Sequence, residues 1–366
     1  MNILYLINYA GKAGTEKYVL NLMHILSAQG ETCHLAYNVP GQLSETVSSE
    51  GFACFRFEMS TKKALSAAKK LAGYCRENKI DVIHAQYPME NVIAILSRLF
   101  YRKVKVVYTS HLTIYQNTKW KILNRLFTPF DHRIIAVCRQ GADIMISNGV
   151  KKDRIQVVYN GVEPKRERVY DRSFAREFGV NDDTFVMSIM ARYAPEKGLP
   201  FLLASLAKLR RKTDKPFVCF IAGDGEERES LSELHKQLGL RNTFFLGNQK
   251  QDELRRLYNA ADVFVMPSRR EPFGLVALEA MACGLPVVGS NEGGLPEFIN
   301  SQVGTLVSPE DEEAFCAAIL NELTRHHTEP ERRDIIAHYA SSNFAQAQFV
   351  EKLEQVYQRA VRDFSG

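Results

Sequence analysis

No stretch of this 366-residue chain approaches the roughly 20 consecutive apolar residues of a bilayer-spanning helix, so no transmembrane segment is expected. The apolar start, Met1 to Tyr9, is too short for the core of a secretory signal and runs straight into Gly11-Lys12-Ala13-Gly14, so it reads as a first buried strand. Cysteine is sparse in pattern as well as number: the seven residues, at 33, 54, 75, 138, 219, 283 and 316, never form Cys-x-x-Cys. That supports neither a disulfide framework nor a zinc site and points to a reducing, cytoplasmic compartment. A convincing metal-binding Asp-x-Asp is also missing. Asn181-Asp182-Asp183 precedes a strand-like run, and Asp311-Glu312-Glu313 follows Pro309 as a helix start.

What is present is an ordinary globular composition, 45% hydrophobic and 24% charged, over a length that accommodates two domains. The net charge of +5 is uneven. Residues 1–150 hold 18 Lys and Arg against 10 Asp and Glu, so the first part is basic and the remainder slightly acidic.

Short β-rich runs alternate with amphipathic stretches. Ile3 to Ile7, Cys33 to Tyr37, Asp81 to His84, Val104 to Tyr108 and Arg133 to Val137 are expected strands, separated by helical patterns such as Glu16 to Gly30 and Ala64 to Asn78. After a polar, proline-bearing break at Asn160 to Arg172 a second series begins. Its strands are Phe185 to Ile189, Phe217 to Ala222, Thr243 to Leu246, Val263 to Met266, Pro286 to Val288 and Thr305 to Val307. The pattern predicts an α/β chain of two Rossmann-like, doubly wound domains, residues 1–165 and 166–343, facing each other across a cleft. A final helix over 344–366 is expected to pack back on the first domain. In such sheets ligands bind beyond the carboxyl ends of the strands, which is where Gly14, His111, Arg192 and Gly223-Asp224-Gly225 fall.

The most informative residues are Glu271-Pro-Phe-Gly-Leu-Val-Ala-Leu-Glu279. Pro272 and Gly274 place Glu271 in a loop before a helix, and Glu279 more than a turn inside it. Two carboxylates thus flank a helix N-terminus, whose unpaired N–H groups favour anions. With Pro267-Ser268 before it and Gly284-Leu-Pro286 after it, the block resembles the Glu-x7-Glu signature of the retaining glycosyltransferases of GT-B fold, specifically glycosyltransferase family 4. The resemblance spans nearly the whole chain and is strongest over 160–309.

The resemblance implies a transferase acting on a nucleotide sugar, with UDP as the default nucleotide and neither cofactor nor metal. Glu271 would contact donor-sugar hydroxyls, the backbone around Phe273, Gly274 and Leu275 the sugar and diphosphate, and Glu279 the ribose. Arg192 and Lys197, in Ala191-Arg-Tyr-Ala-Pro-Glu-Lys-Gly198, match the family's Arg-x4-Lys pair that holds the diphosphate; two fixed cations there would stabilise the departing nucleotide in place of a metal. Gly14 matches the second glycine of a Gly-Gly-x-Glu loop, with Ala13 replacing the first. His111 matches a strand-end histidine near the donor sugar and acceptor. His84 matches the first histidine of a His-x-His whose second is Gln86 here; its role is left open between site and structure. Gly247, Asn248 and Gln249 are base-side positions, and Glu297 is read as structural. Catalytic roles are thus expected for Glu271, His111, Arg192 and Lys197.

The resemblance leaves the acceptor as a glycan or lipid-linked hydroxyl. Two basic segments, Arg98 to Lys105 and Lys119 to Phe127, the second carrying the only Trp, are what an anionic membrane surface would meet, which makes the protein cytoplasmic and peripheral. No nucleic-acid recognition motif accompanies them. A sugar phosphorylase or a non-catalytic nucleotide-sugar binder on the same fold is the alternative.

Overall fold

A computed structural model of the chain describes residues 1–111, 113–163, 170–329 and 331–362, with the side chains of 327 and 328 left aside. Two compact units emerge: Met1–Asn160 together with the chain from Ala347 on, and Gly161–Gln346. The expected boundary at 165 lies outside the described residues.

The first unit is built on seven parallel strands: β1 (Asn2–Tyr9), β2 (Thr32–Val39), β3 (Ala53–Arg56), β4 (Val82–Ala85), β5 (Lys105–Ser110), β6 (Arg133–Ala136) and β7 (Ile155–Val157). Their order is β3-β2-β1-β4-β5-β6-β7, so the winding reverses between β1 and β4. Ile3, Leu4, Tyr5, Leu6 and Ile7 of β1 are all fully buried, as befits a strand covered by helices on both faces. On one face Tyr5, Ile7 and Val107 pack with Leu22 and Leu26; on the other Leu4, Leu6 and Ile83 pack with Leu71 and Ile93. β3 and β7 were not expected. Both are short edge strands whose residues are only partly buried, so they lack the continuous apolar run that marks the others.

The closing helix, Gln346–Arg362, starts two residues later than expected, and the expected end at 366 is outside the described residues. It buries Phe349, Val350, Leu353, Val356, Tyr357 and Ala360 on a single face against the β1 side of the first unit.

The second unit has six parallel strands: β8 (Phe185–Met190), β9 (Phe217–Ala222), β10 (Thr243–Gly247), β11 (Val263–Met266), β12 (Val287–Ser290) and β13 (Gly304–Val307). They run β10-β9-β8-β11-β12-β13, with the reversal between β8 and β11. Its first and last segments are tied together: Val162 N–H donates to the Phe344 carbonyl at 2.8 Å and Gln346 N–H to the Val162 carbonyl at 2.9 Å. At the amino end of the sheet the buried Asp262 accepts a bidentate pair of bonds from Arg172, at 2.8 and 3.0 Å. Charge at that end is consumed by the scaffold.

Candidate functional site

The loops after β8 and β11 meet at the reversal of the second sheet. The carbonyl of Glu196, in the single 3-10 turn Pro195–Lys197, accepts the N–H groups of Arg269 at 2.9 Å and Arg270 at 3.3 Å. Gly198 has φ +68°, and a Cβ there would lie 2.1 Å from the Pro267 carbonyl oxygen, so only glycine permits this approach. The result is an ion pair across the two loops: Lys197 Nζ donates to Glu271 Oε2 at 2.7 Å, and Ser268 Oγ donates to the same oxygen at 3.3 Å. The Glu271 side chain is 8% exposed and that of Lys197 20%. Arg192 is more open, 59% exposed, with one N–H on Glu196 Oε1 at 2.5 Å. Four N–H donors of its guanidinium and two of the Lys197 ammonium lie beyond these bonds, a fitting supply for phosphate oxygens.

Glu271 is held from its backbone as well. Its carbonyl accepts the Gly294 N–H at 3.2 Å, and Gly293 has φ +61° with its Cβ position 1.5 Å from that carbonyl oxygen. Three residues on, Gly274 (φ +98°) caps the helix Leu275–Ala282 without a side-chain cap, leaving first-turn N–H groups for a ligand. Phe273 is 2% exposed with its ring 5.2 Å from that of Phe298, so it can offer a ligand only its main chain. Glu279, the fifth residue of that helix, is half-buried. Burial and the neighbouring Glu279 carboxylate together push the Tyr258 hydroxyl well above its ordinary value.

The turn after β10 joins the same end. Gly223 N–H donates to the Gly247 carbonyl at 2.8 Å, and a Cβ on Gly223 (φ +120°) would lie 1.9 Å from the Ala191 carbonyl oxygen. Gly247, Asn248 and Gln249 thus stand in one turn, connected through Gly223 to the loop that carries Arg192. Asn248 is exposed, whereas Gln249 spends its amide on the Leu246 carbonyl at 2.6 Å.

In the first unit the helix Gly14–Ala28 begins directly after the β1 loop, and the Glu16 carboxylate accepts the Ala13 N–H at 3.1 Å. A Cβ on Gly14 would meet no atom within 4 Å, so the protein itself does not require glycine there. Thr109 and Ser110 lie within β5 rather than after it, and His111 follows its last residue. His111 Nε2 is 2.9 Å from Gln86 Oε1, and the Gln86 amide nitrogen donates to the His84 carbonyl at 3.0 Å. That second bond orients the Gln86 oxygen toward His111, so the network assigns the ring proton to Nε2 and makes Nδ1 an acceptor. Burial, with the Tyr18 ring 4.8 Å away, pushes His111 down to about 3, so it is neutral at physiological pH. His84 is fully buried, 2.7 Å from the Tyr357 hydroxyl and 2.6 Å from Thr109 Oγ1. It joins the closing helix to the sheet and has no solvent face, which makes it structural.

The structure therefore brings Arg192, Lys197, Glu271, Phe273, Gly274, Leu275 and Glu279, with the 247–249 turn, to one end of the second unit. It places Gly14 and His111 at the corresponding end of the first. Sequence reasoning missed the parts played by Ser268, whose hydroxyl reaches the Glu271 carboxylate, by Glu196, which binds Arg192 through its side chain and the 269–270 backbone through its carbonyl, and by the Gly293-Gly294 clamp on Glu271; these are contacts between loops that spacing alone does not reveal. Among the described residues no three or more His, Cys, Asp or Glu form a metal-holding group, and no helix is long and apolar enough to cross a membrane.

Comparison with known proteins agrees with this geometry. Residues 171–341 match the family described as glycosyl transferases group 1, and residues 13–166 the family described as glycosyltransferase family 4. An uncharacterized glycosyltransferase of Methanocaldococcus jannaschii is 39% identical over 45% of this chain, which spans only 44% of that relative. The D-inositol 3-phosphate glycosyltransferase of Saccharomonospora viridis is 31% identical over 78% of this chain and 72% of its own. In fold, the Anabaena HepE crystal structure in complex with UDP and glucose superposes with a TM-score of 0.82 over 98% of this chain and 99% of that one, at 22% identity. The chain belongs to glycosyltransferase family 4 and has the GT-B fold.

Proposed function

We propose that this glycosyltransferase moves a hexosyl group from a UDP-sugar to an acceptor hydroxyl with retention of anomeric configuration and without a divalent metal, the acceptor being a glycan or a lipid-linked molecule. The observation that carries the reading is the convergence of Lys197, Arg192 and the uncapped start of helix Leu275–Ala282 around the buried Glu271 at the β8/β11 reversal. In the reaction the bond from the anomeric carbon to the leaving phosphate oxygen breaks and a bond to the acceptor oxygen forms. The acceptor's proton passes to the leaving phosphate. No side chain is assigned as a nucleophile, so the substitution proceeds on one face of the sugar with ion-pair character.

On this reading Arg192 and Lys197 neutralise the charge that gathers on the departing diphosphate, the step in which fixed cations stabilise the transition state more than the ground state. Glu271 accepts sugar hydroxyls while its bond to Lys197 holds both side chains in place. Glu279 accepts the ribose hydroxyls, and the 247–249 turn meets the base through main-chain groups. His111, neutral and with Nδ1 as acceptor, receives a hydroxyl hydrogen and carries no charge. UDP is supported by the nucleotide in the HepE complex, and an alcohol acceptor by the name of the Saccharomonospora relative.

Incubation of the purified protein with a panel of nucleotide sugars and acceptors, followed by proton NMR of the new linkage, tests the proposal. An anomeric coupling like that of the donor is expected. An inverted product, or donor consumption only when inorganic phosphate is supplied, would overturn it.

A further inference from the structure

β1 and β2 end side by side with apolar side chains turned to solvent. Ile3 to Ile7 are fully buried, yet Tyr9 is 55% exposed and Val39, its register partner on β2, 44%. The Tyr9 ring rests on the backbone of Gly11, where a Cβ would stand 2.3, 2.7 and 2.9 Å from Tyr9 Cε1, Cζ and Cδ1. Such similar distances to three adjacent ring atoms put Gly11 under the face of the ring and not at its edge. Gly11 has no positive φ, so the ring is what calls for glycine at this position. The backbone beneath the ring is itself fixed by the loop after β2. Leu43 N–H donates to the Ala10 and Gly11 carbonyls at 3.1 and 3.0 Å, and a Cβ on Gly41 would lie 2.9 Å from Gly11 Cα. One face of an exposed phenol is thus seated on rigid chain, and the other is open.

This platform stands at the carboxyl end of the first sheet, beside the reversal between β1 and β4 where doubly wound sheets take ligands. A polar group is fixed next to it. Asn8 N–H donates to Glu90 Oε1 at 2.7 Å, and Asn8 Oδ1 accepts from Asn38 Nδ2 at 2.9 Å. The Asn38 amide nitrogen also donates to the Met59 carbonyl at 3.2 Å, which locks the pair. Among the described residues none accepts from Asn8 Nδ2, so its two N–H groups are left to a ligand. A pyranose carries C–H groups on one face and hydroxyls round its rim. An open aromatic face beside a fixed amide donor answers both features. An acyl chain would call for a longer apolar groove than one ring flanked by amides.

We propose that Tyr9 is a stacking platform for the acceptor and that the group it receives is a pyranose ring, so that the acceptor hydroxyl belongs to a sugar. The proposal rests on the transferase reading above and narrows its acceptor to a saccharide. It is tested by saturation-transfer NMR of the full protein with the methyl α-pyranosides of glucose, galactose and mannose, with and without UDP. The proteins compared are wild type, Tyr9→Phe, Tyr9→Ala and Gly11→Ala. Tyr9→Phe keeps the stacking face. Gly11→Ala keeps the phenol but lifts it off the loop, a displacement that an exposed side chain absorbs without unfolding. At least one pyranoside should receive saturation at its ring C–H protons from wild type and Tyr9→Phe. Tyr9→Ala and Gly11→Ala should bind it about tenfold more weakly or worse. All three variants should keep wild-type melting temperature and UDP affinity. Absence of pyranoside binding to wild type, or undiminished binding to Tyr9→Ala or Gly11→Ala, would overturn the proposal. So would a UDP affinity that falls in Tyr9→Ala, because the ring would then serve the nucleotide. A wild type that binds a pyranoside through Tyr9 but no UDP would support the platform and count against the donor assignment alone.

Discussion

At the scale of single residues, the account depends on charges held in fixed relation. Lys197 is expected to matter to turnover more than to folding, because its ammonium is partly open while its partner Glu271 is buried. Lys197→Ala should cost about 2–4 kcal/mol of transition-state stabilisation, as does loss of an oxyanion donor. Steady-state kinetics beside a thermal melt checks this, the expected outcome being a large fall in kcat with a small change in Tm. Gln86 gives a finer test. Gln86→Met removes the acceptor that fixes the His111 proton on Nε2, a bond worth about 1 kcal/mol. A several-fold drop in kcat with unchanged donor KM is expected, and identical kinetics would remove His111 from the site. The departure of Gln86 from the family's His-x-His was legible in the sequence. Its task was not, because it arises between the ends of β4 and β5, residues 25 apart in the chain. Arg192, Lys197 and Glu271 were legible because their motifs lie within short loops.

At the scale of elements, glycines separate what the fold demands from what a ligand demands. Gly293→Ala forces both a left-handed conformation and a Cβ onto the Glu271 carbonyl, so it should destabilise the second unit by about 1–3 kcal/mol and weaken nucleotide binding with it. Gly14→Ala meets open space at the start of a helix, and its stability should be unchanged or raised by up to about 1 kcal/mol. If Gly14 serves the substrate, turnover falls in that stable variant; urea denaturation and kinetics on both proteins give the comparison. The Gly293-Gly294 pair was visible in the sequence, but its grip on Glu271 depends on the loops after β11 and β12 lying side by side. The central strands were readable because burial on both faces writes a continuous apolar run. β3 and β7 were not, since an edge strand of three or four residues with partly exposed side chains carries no such signature.

For the molecule as a whole, the alternation of strand and helix revealed two sheets, and the helix Gln346–Arg362 shows how the last segment of chain serves the first of them. Its Tyr357 bonds to His84, which burial and the nearby His111 push down to about 3. The folded protein refuses a proton that the unfolded chain accepts near 6.5. Stability from this group is therefore complete above pH 6.5 and lost as pH falls toward about 3, at about 1.4 kcal/mol per pH unit. Glu90, pushed up to about 7 by burial, acts with the opposite sign: its folded form holds a proton the unfolded carboxyl has released, so its contribution declines as pH rises from about 4.5 to about 7. Urea unfolding at pH 7.5 and 5 should show His84→Asn losing less stability on acidification than wild type, and Glu90→Gln losing more. Neither sign could be read from the sequence, where nothing marks these two residues as buried titrating groups.

The acceptor was the least legible part of the chain, for it is recognised by surface shape and not by motif. The donor cradle is the centre of the account, and calorimetric titration of the full protein with UDP, GDP and ADP in the presence of a chelator tests it most directly. One nucleoside diphosphate, expected to be UDP, should bind wild type without added metal, and Lys197→Ala should bind it about tenfold more weakly or worse. Binding that appears only with a divalent cation, or that is equal in wild type and Lys197→Ala, would contradict the assignment of Lys197 and Arg192 as the groups that hold the departing diphosphate.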